Sequence, residues 1–142
     1  MNKNGSGETN GMKHRHLPPS LDDLADLAAR ALASLPEPFR HAVANVPIKV
    51  EEFPDPEVEE EMELESPFDL LGLYDGVSLD RKSVLDAPSR PDMIYLYRRP
   101  ILDYWCEEQD DLTRVVRHVL IHEIGHHLGL SDADMERIEE EA

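Results

Sequence analysis

The chain has 142 residues, 40% of them apolar and 32% charged, a balance that fits one globular domain around a single core. Its formal net charge of −17 argues against a nucleic-acid-binding surface, because phosphates need a basic counter-surface. Its apolar runs fall far short of the ~20 residues a membrane span requires, and the opening MNKNGSGETNGMKHRH has no apolar signal-peptide core, so a cytoplasmic address is expected.

Residues 1–19 are rich in Gly, Asn and basic groups, show no periodicity and close on Pro18-Pro19, so a disordered leader is expected before a domain over 20–142. His14 and His16 in that leader have no structured partner and are not read as ligands. From Ser20 the pattern changes. Leu21, Leu24, Ala28, Ala31 and Leu35 recur at helical spacing, with Asp22, Asp23, Asp26 and Arg30 on the other face. Ser20 with Asp23 forms a capping-box pattern, and Pro36 ends the helix.

EPFRHAVAN, with Pro38 near its first turn, predicts a short helix, and VPIKV alternates as a strand does, with Pro47 at its start or on an edge. Residues 51–65, EEFPDPEVEEEMELE, hold nine acids and no base and are expected to form a mobile solvated loop. With residues 131–142 they carry fifteen of the thirty-one acids, so the acidity belongs to one loop and one tail.

In LLGLYDGVSL, Asp75-Gly76 between two apolar runs predicts a two-residue hairpin turn, and Gly72 a bulge. DMIYLYRR, bounded by Pro91 and Pro100, predicts a more central strand. Trp105 and its apolar neighbours are expected in the core. So is the lone Cys106, which cannot form an internal disulfide and fits a reducing compartment.

The last long helix starts at Asp110 or Asp111, either of which can cap it, and buries Leu112, Val115, Val116, Val119 and Leu120. It continues into HEIGHHLGLSD, residues 122–132. His122 and His126 lie one turn apart and can present two imidazole nitrogens to one cation. Glu123, ~100° around the helix, can stand beside that cation without binding it and act as a base on a water the cation activates. Gly129 can stop the helix in a left-handed conformation, after which Asp132 arrives as a candidate third ligand. The alternative for Asp132 is to cap the following helix DADMERIEEE, a task that Ser131 with Asp134 can also perform.

Through HEIGHHLGLSD, and through the order helix, strand, LLGLYDG hairpin, strand and metal helix over roughly residues 20–141, the chain resembles the zincins. More narrowly it resembles the small bacterial zincin-like metallopeptidases with a minimal zincin domain. The resemblance implies an α+β fold: an N-terminal helix, a small mixed or antiparallel sheet, the HExxH helix and a short C-terminal helix. It also implies zinc on His122, His126 and Asp132, with Glu123 as general base, and a gluzincin- or metzincin-like hydrolase. Metzincins carry a methionine turn well downstream of the motif, whereas here Met135 stands only three residues past Asp132.

His127 points ~100° away from His126 and is read as a packed or surface residue. Tyr74, Tyr95 and Tyr97 are read as strand-packing residues, one of which could polarise a carbonyl opposite Glu123.

The leading function is a zinc-dependent peptidase or related amide hydrolase acting on peptides or proteins, with basic ones favoured by the acidic segment. The alternative is a metal-bearing interaction module with little or no turnover. A deformylase-type site would take a Cys ligand, but Cys106 stands in YWCEE, before the helix and without that family's Gly-Cys-Leu context. A ribonuclease with HxxxHxxGxxH spacing is disfavoured by Glu123 and by the acidic charge. The oligomeric state is not readable from the chain.

Overall fold

The computed structural model describes residues 17–76 and 91–141. Most of the expected leader, with His14 and His16, lies outside the described residues, as does the VSL half of the expected hairpin.

Helix α1 (Leu21–Ser34) forms as its periodicity requires: Leu24, Ala28 and Ala31 are buried on one stripe. Its first turn carries the full capping box, with the Asp23 N–H donating to Ser20 Oγ at 3.1 Å and the Ser20 N–H donating to Asp23 Oδ2 at 2.8 Å. A short α2 (Phe39–Ala42) follows, and it buries Phe39.

The sheet has three strands: β1 (Ile48–Glu51), β2 (Gly72–Asp75) and β3 (Met93–Tyr97), in the order β1-β3-β2. β3 is central, parallel to β1 and antiparallel to β2. Ile94, Leu96 and Tyr97 of β3 are buried, as its two-sided apolar character predicts. Among the described residues β2 therefore pairs with β3. Its register runs unbroken from Gly72 opposite Leu96 to Asp75 opposite Met93, so Gly72 is not a bulge. Gly72 serves close packing instead, because a Cβ there would meet Val119 Cγ1 at 2.7 Å.

Three further expectations are corrected. The acidic stretch is not simply a loop: within it Pro56–Glu61 form a short helix, α3, and just after it Pro67–Asp69 form a 3-10 turn. Apolar and cationic contacts fasten its ends. Phe53 packs edge-on against Phe68 with centroids 5.1 Å apart, Arg99 sits over the Phe53 ring at 5.6 Å, and Arg98 pairs with Glu52 at 2.9 Å. The strand expected to run through Arg98 and Arg99 to Pro100 stops at Tyr97, where helix α4 (Arg98–Glu108) begins at once. Pro100 lies in the first turn of α4, where a backbone N–H has no intrahelical acceptor, so a proline costs little there. Cys106, on α4, is exposed and not a core thiol, while Trp105 is partly buried against the core.

Helix α5 (Leu112–Leu128) is the spine of the molecule. Asp111 is its N-cap, accepting from the Thr113 N–H at 2.8 Å. Val115, Val116, Val119, Leu120, Ile121 and Ile124 bury one broad face, against which α1 and β2 pack. Helix α6 (Asp132–Glu141) then folds back along α5. No helix among the described residues is long and apolar enough to cross a membrane.

Candidate metal centre

α5 stops where HEIGHHLG predicts. Gly129 adopts φ +79°, its N–H reaches His126 O at 3.1 Å, and the Leu130 N–H reaches Gly125 O at 2.9 Å, the bonding of a Schellman stop. A Cβ on Gly129 would meet nothing within 4 Å, so its backbone conformation alone calls for glycine. The reversed chain enters α6 through a second capping box, in which the Asp134 N–H donates to Ser131 Oγ at 3.1 Å and the Ser131 N–H donates to Asp134 Oδ2 at 3.4 Å. Ser131 is thus the cap, and Asp132 is left with a side chain 85% exposed.

This turn brings Asp132 Oδ1 to 4.0 Å from His126 Nε2. One ligand atom from each of His122, His126 and Asp132 lies within 4.8 Å of the others, as a shared cation requires after modest side-chain closure. Two imidazoles and a carboxylate suit zinc.

Glu123 stands apart from that group. Its carboxylate accepts from the Tyr74 N–H of β2 at 3.3 Å and, with Tyr74, Gly76, His126 and His127, lines a cavity of about 190 Å³. Burial pushes its carboxyl up, opposed by the Tyr74 N–H and by the nearby His126. A raised folded-state value means that the protonated form suits the fold better than the ionised one. Stability from this group is therefore complete below the ordinary carboxylate value of 4.5 and declines as pH rises through the folded-state value. In the metal-free protein, Glu123→Gln should melt higher than wild type near neutral pH, and the gain should vanish below about pH 4.5. Thermal melts with chelator across that range check this, and a gain independent of pH would contradict it.

His127 is a packed histidine, 8% exposed, stacked on Tyr74 with centroids 3.9 Å apart. The Tyr74 hydroxyl donates to Asp92 Oδ2 at 3.0 Å, and His127 Nε2 lies 3.9 Å from the same oxygen. Burial first, then the bond to Asp92 and its charge, hold the Tyr74 phenol well above its ordinary value. Tyr74 therefore contributes its main-chain N–H to the site, while its hydroxyl is engaged away from Glu123. None of this non-local set is readable from spacing.

Met135 is fully buried against Gly125, inside the HEIGHH turn. A Cβ at 125 would fall within 2.9 Å of Met135 Cγ and closer still to its Sδ. Gly125→Ala should therefore cost about 1–3 kcal/mol by overpacking. Urea denaturation measures it, and an unchanged midpoint would show that α6 gives way freely.

Two residues beyond the expected set complete the picture. His118, one turn before His122, places Nδ1 2.8 Å from Glu139 Oε2, and His122 Nε2 lies 3.0 Å from Glu139 Oε1. The His118 signal was available as a third histidine at four-residue spacing, whereas Glu139 is brought in only by the fold-back of α6. Cys106 belongs to neither metal-capable group among the described residues.

A small α+β domain with an HExxH helix closed by a glycine turn is the zincin arrangement. The family profile for zincin-like metallopeptidases matches residues 43–142, and the chain belongs to that family. The family implies a metal, usually zinc, and peptide or protein substrates. No curated protein matches the chain. The match begins after α1, although Leu24, Ala28 and Ala31 of that helix are built into the same core.

Proposed function

We propose that the protein is a zinc-dependent peptidase or related amide hydrolase, gluzincin- or metzincin-like, in which His122, His126 and Asp132 hold the metal and Glu123 is the general base. The observation that carries this reading is the separation of roles: three donors converge, while a half-buried carboxylate beside them is fixed by the Tyr74 N–H and takes no part in the donor group. A structural zinc site has no use for such a carboxylate. When bound, zinc supplies Lewis acidity and lowers the pKa of a water.

Glu123 takes the proton of the attacking water and returns it to the leaving amine. Burial, by raising its proton affinity, suits it to hold that proton between the two transfers. The Tyr74 N–H fixes the orientation of the carboxylate and points away from β3, so the outer edge of β2 runs beside the reacting centre. On this reading an extended peptide lies along that edge.

The acidic stretch does not line the Glu123 cavity, so any preference for basic substrates acts at long range and fades with salt. We place the protein in the cytoplasm, where an exposed thiol such as Cys106 stays reduced, and its domain over 20–142. A broad peptide library incubated with the zinc-loaded chain tests the reading. Cleavage abolished by chelator and restored by zinc is expected, and its complete absence would overturn it.

A further inference from the structure

His118, His122 and His126 form a row at i, i+4 and i+8 on α5, so His122 has a histidine one turn away on either side. On the C-terminal side the row is completed by Asp132. On the N-terminal side it is completed by Glu139 of α6, whose two carboxylate oxygens reach both rings, at 2.8 Å for His118 and 3.0 Å for His122. The His118 and His122 rings stand 4.2 Å apart, and one ligand atom from each of His118, His122 and Glu139 lies within 4.8 Å of the others. All three of these donors are half-buried, whereas His126 and Asp132 of the first group are exposed.

We propose that His118, His122 and Glu139 form a second divalent-cation site of the zinc type, one helical turn before the HExxH pair and exclusive with it. Two imidazoles and a carboxylate select zinc and its borderline neighbours cobalt and nickel over calcium or magnesium, which prefer oxygen. Each His–Glu contact now needs a proton on the imidazole nitrogen, and a cation replaces those protons without moving the partners far.

The site borders a cavity of about 840 Å³ lined by Arg114, Arg117, His118, Glu136, Glu139 and Glu140, which gives water access to complete the coordination. Beside His118, three carboxylates stand against two guanidinium groups on that wall. Exclusivity follows from His122. A neutral imidazole has one free lone pair, so an ion held with His118 and Glu139 deprives His126 and Asp132 of their partner. The second site is thus a holding position in which the chain carries metal but leaves Glu123 without it.

The proposal stands apart from the hydrolase reading and is tested where the HExxH group is disabled. The His126→Ala/Asp132→Ala variant of the full chain, titrated with cobalt and followed by its visible absorption, should still take up one equivalent. Zinc should displace that cobalt. Adding His118→Ala or, separately, Glu139→Gln should weaken uptake by at least about tenfold, with circular dichroism confirming an unchanged fold. No stoichiometric uptake by the folded double variant, or uptake indifferent to both further changes, would overturn the proposal. Neither result bears on hydrolysis by the wild-type chain, which the peptide library reads independently.

Discussion

Glu123→Gln is expected to bind zinc as tightly as the wild-type chain and to lose about 10²–10⁴-fold in hydrolytic rate. Glutamine is nearly isosteric, and its amide oxygen can still accept from the Tyr74 N–H, so the contact between β2 and α5 is preserved. On the proposed function, what disappears is the basic oxygen that would take the proton from water and pass it to the leaving amine. Because Glu123 is not among the grouped donors, the metal should be indifferent to the change. Zinc titration beside turnover of a cleaved library peptide separates the two effects. Equal turnover in both proteins, each silenced by chelator, would mean that the base lies elsewhere, and absent turnover in both would favour a metal-bearing interaction module.

The second large effect is at Asp132. As Ser131 and Asp134 already cap α6 and the Asp132 side chain is largely exposed, Asp132→Ala should change the melting temperature of the metal-free protein by little. Its effect should fall on the metal. Measured together with His118→Ala, so that the neighbouring site cannot hold the ion, Asp132→Ala should lower zinc affinity by more than ~100-fold, beyond the 10–100-fold typical of outer-shell changes. In the same background Asp132→His should restore it, because imidazole can serve at the same position. Zinc competition against a chromophoric chelator provides the comparison. Affinity unchanged by alanine would remove Asp132 from the ligand set.

The parts of this protein that local rules govern were legible in its sequence. Ser20 with Asp23 starts α1, Pro36 follows its end, Asp111 caps α5 and Gly129 stops it; each depends on residues within one helical turn. The grouping of His122, His126 and Asp132 follows from the same locality, since one helix and its glycine stop determine it.

What distance in sequence controls was not legible. β1 lies parallel to a strand more than forty residues away, and the Tyr74 N–H that holds Glu123 comes from a different element. Helix α4 was hidden because strand-forming MIYLY runs directly into Arg98-Arg99-Pro100, and a proline that commonly marks a boundary here sits within the first helical turn. Cys106 then followed α4 to the surface. In the acidic stretch charge density masked the anchors, since Phe53 and Phe68 meet each other only once the chain has turned. His118 was visible at the right spacing, but its meaning depends on Glu139, which arrives only when α6 folds back.

The central claim is that zinc is held by His122, His126 and Asp132 with Glu123 beside it. Anomalous diffraction at the zinc edge, from crystals grown with one equivalent of zinc and a peptide-like hydroxamate, tests it most directly. The account predicts one strong peak at ~2.0–2.2 Å from a nitrogen of each histidine and an oxygen of Asp132, with the hydroxamate completing the coordination and the Glu123 carboxylate unbound. A peak coordinated by Glu123 itself, or one on His122 and His126 with the Asp132 carboxylate uncoordinated, would contradict it.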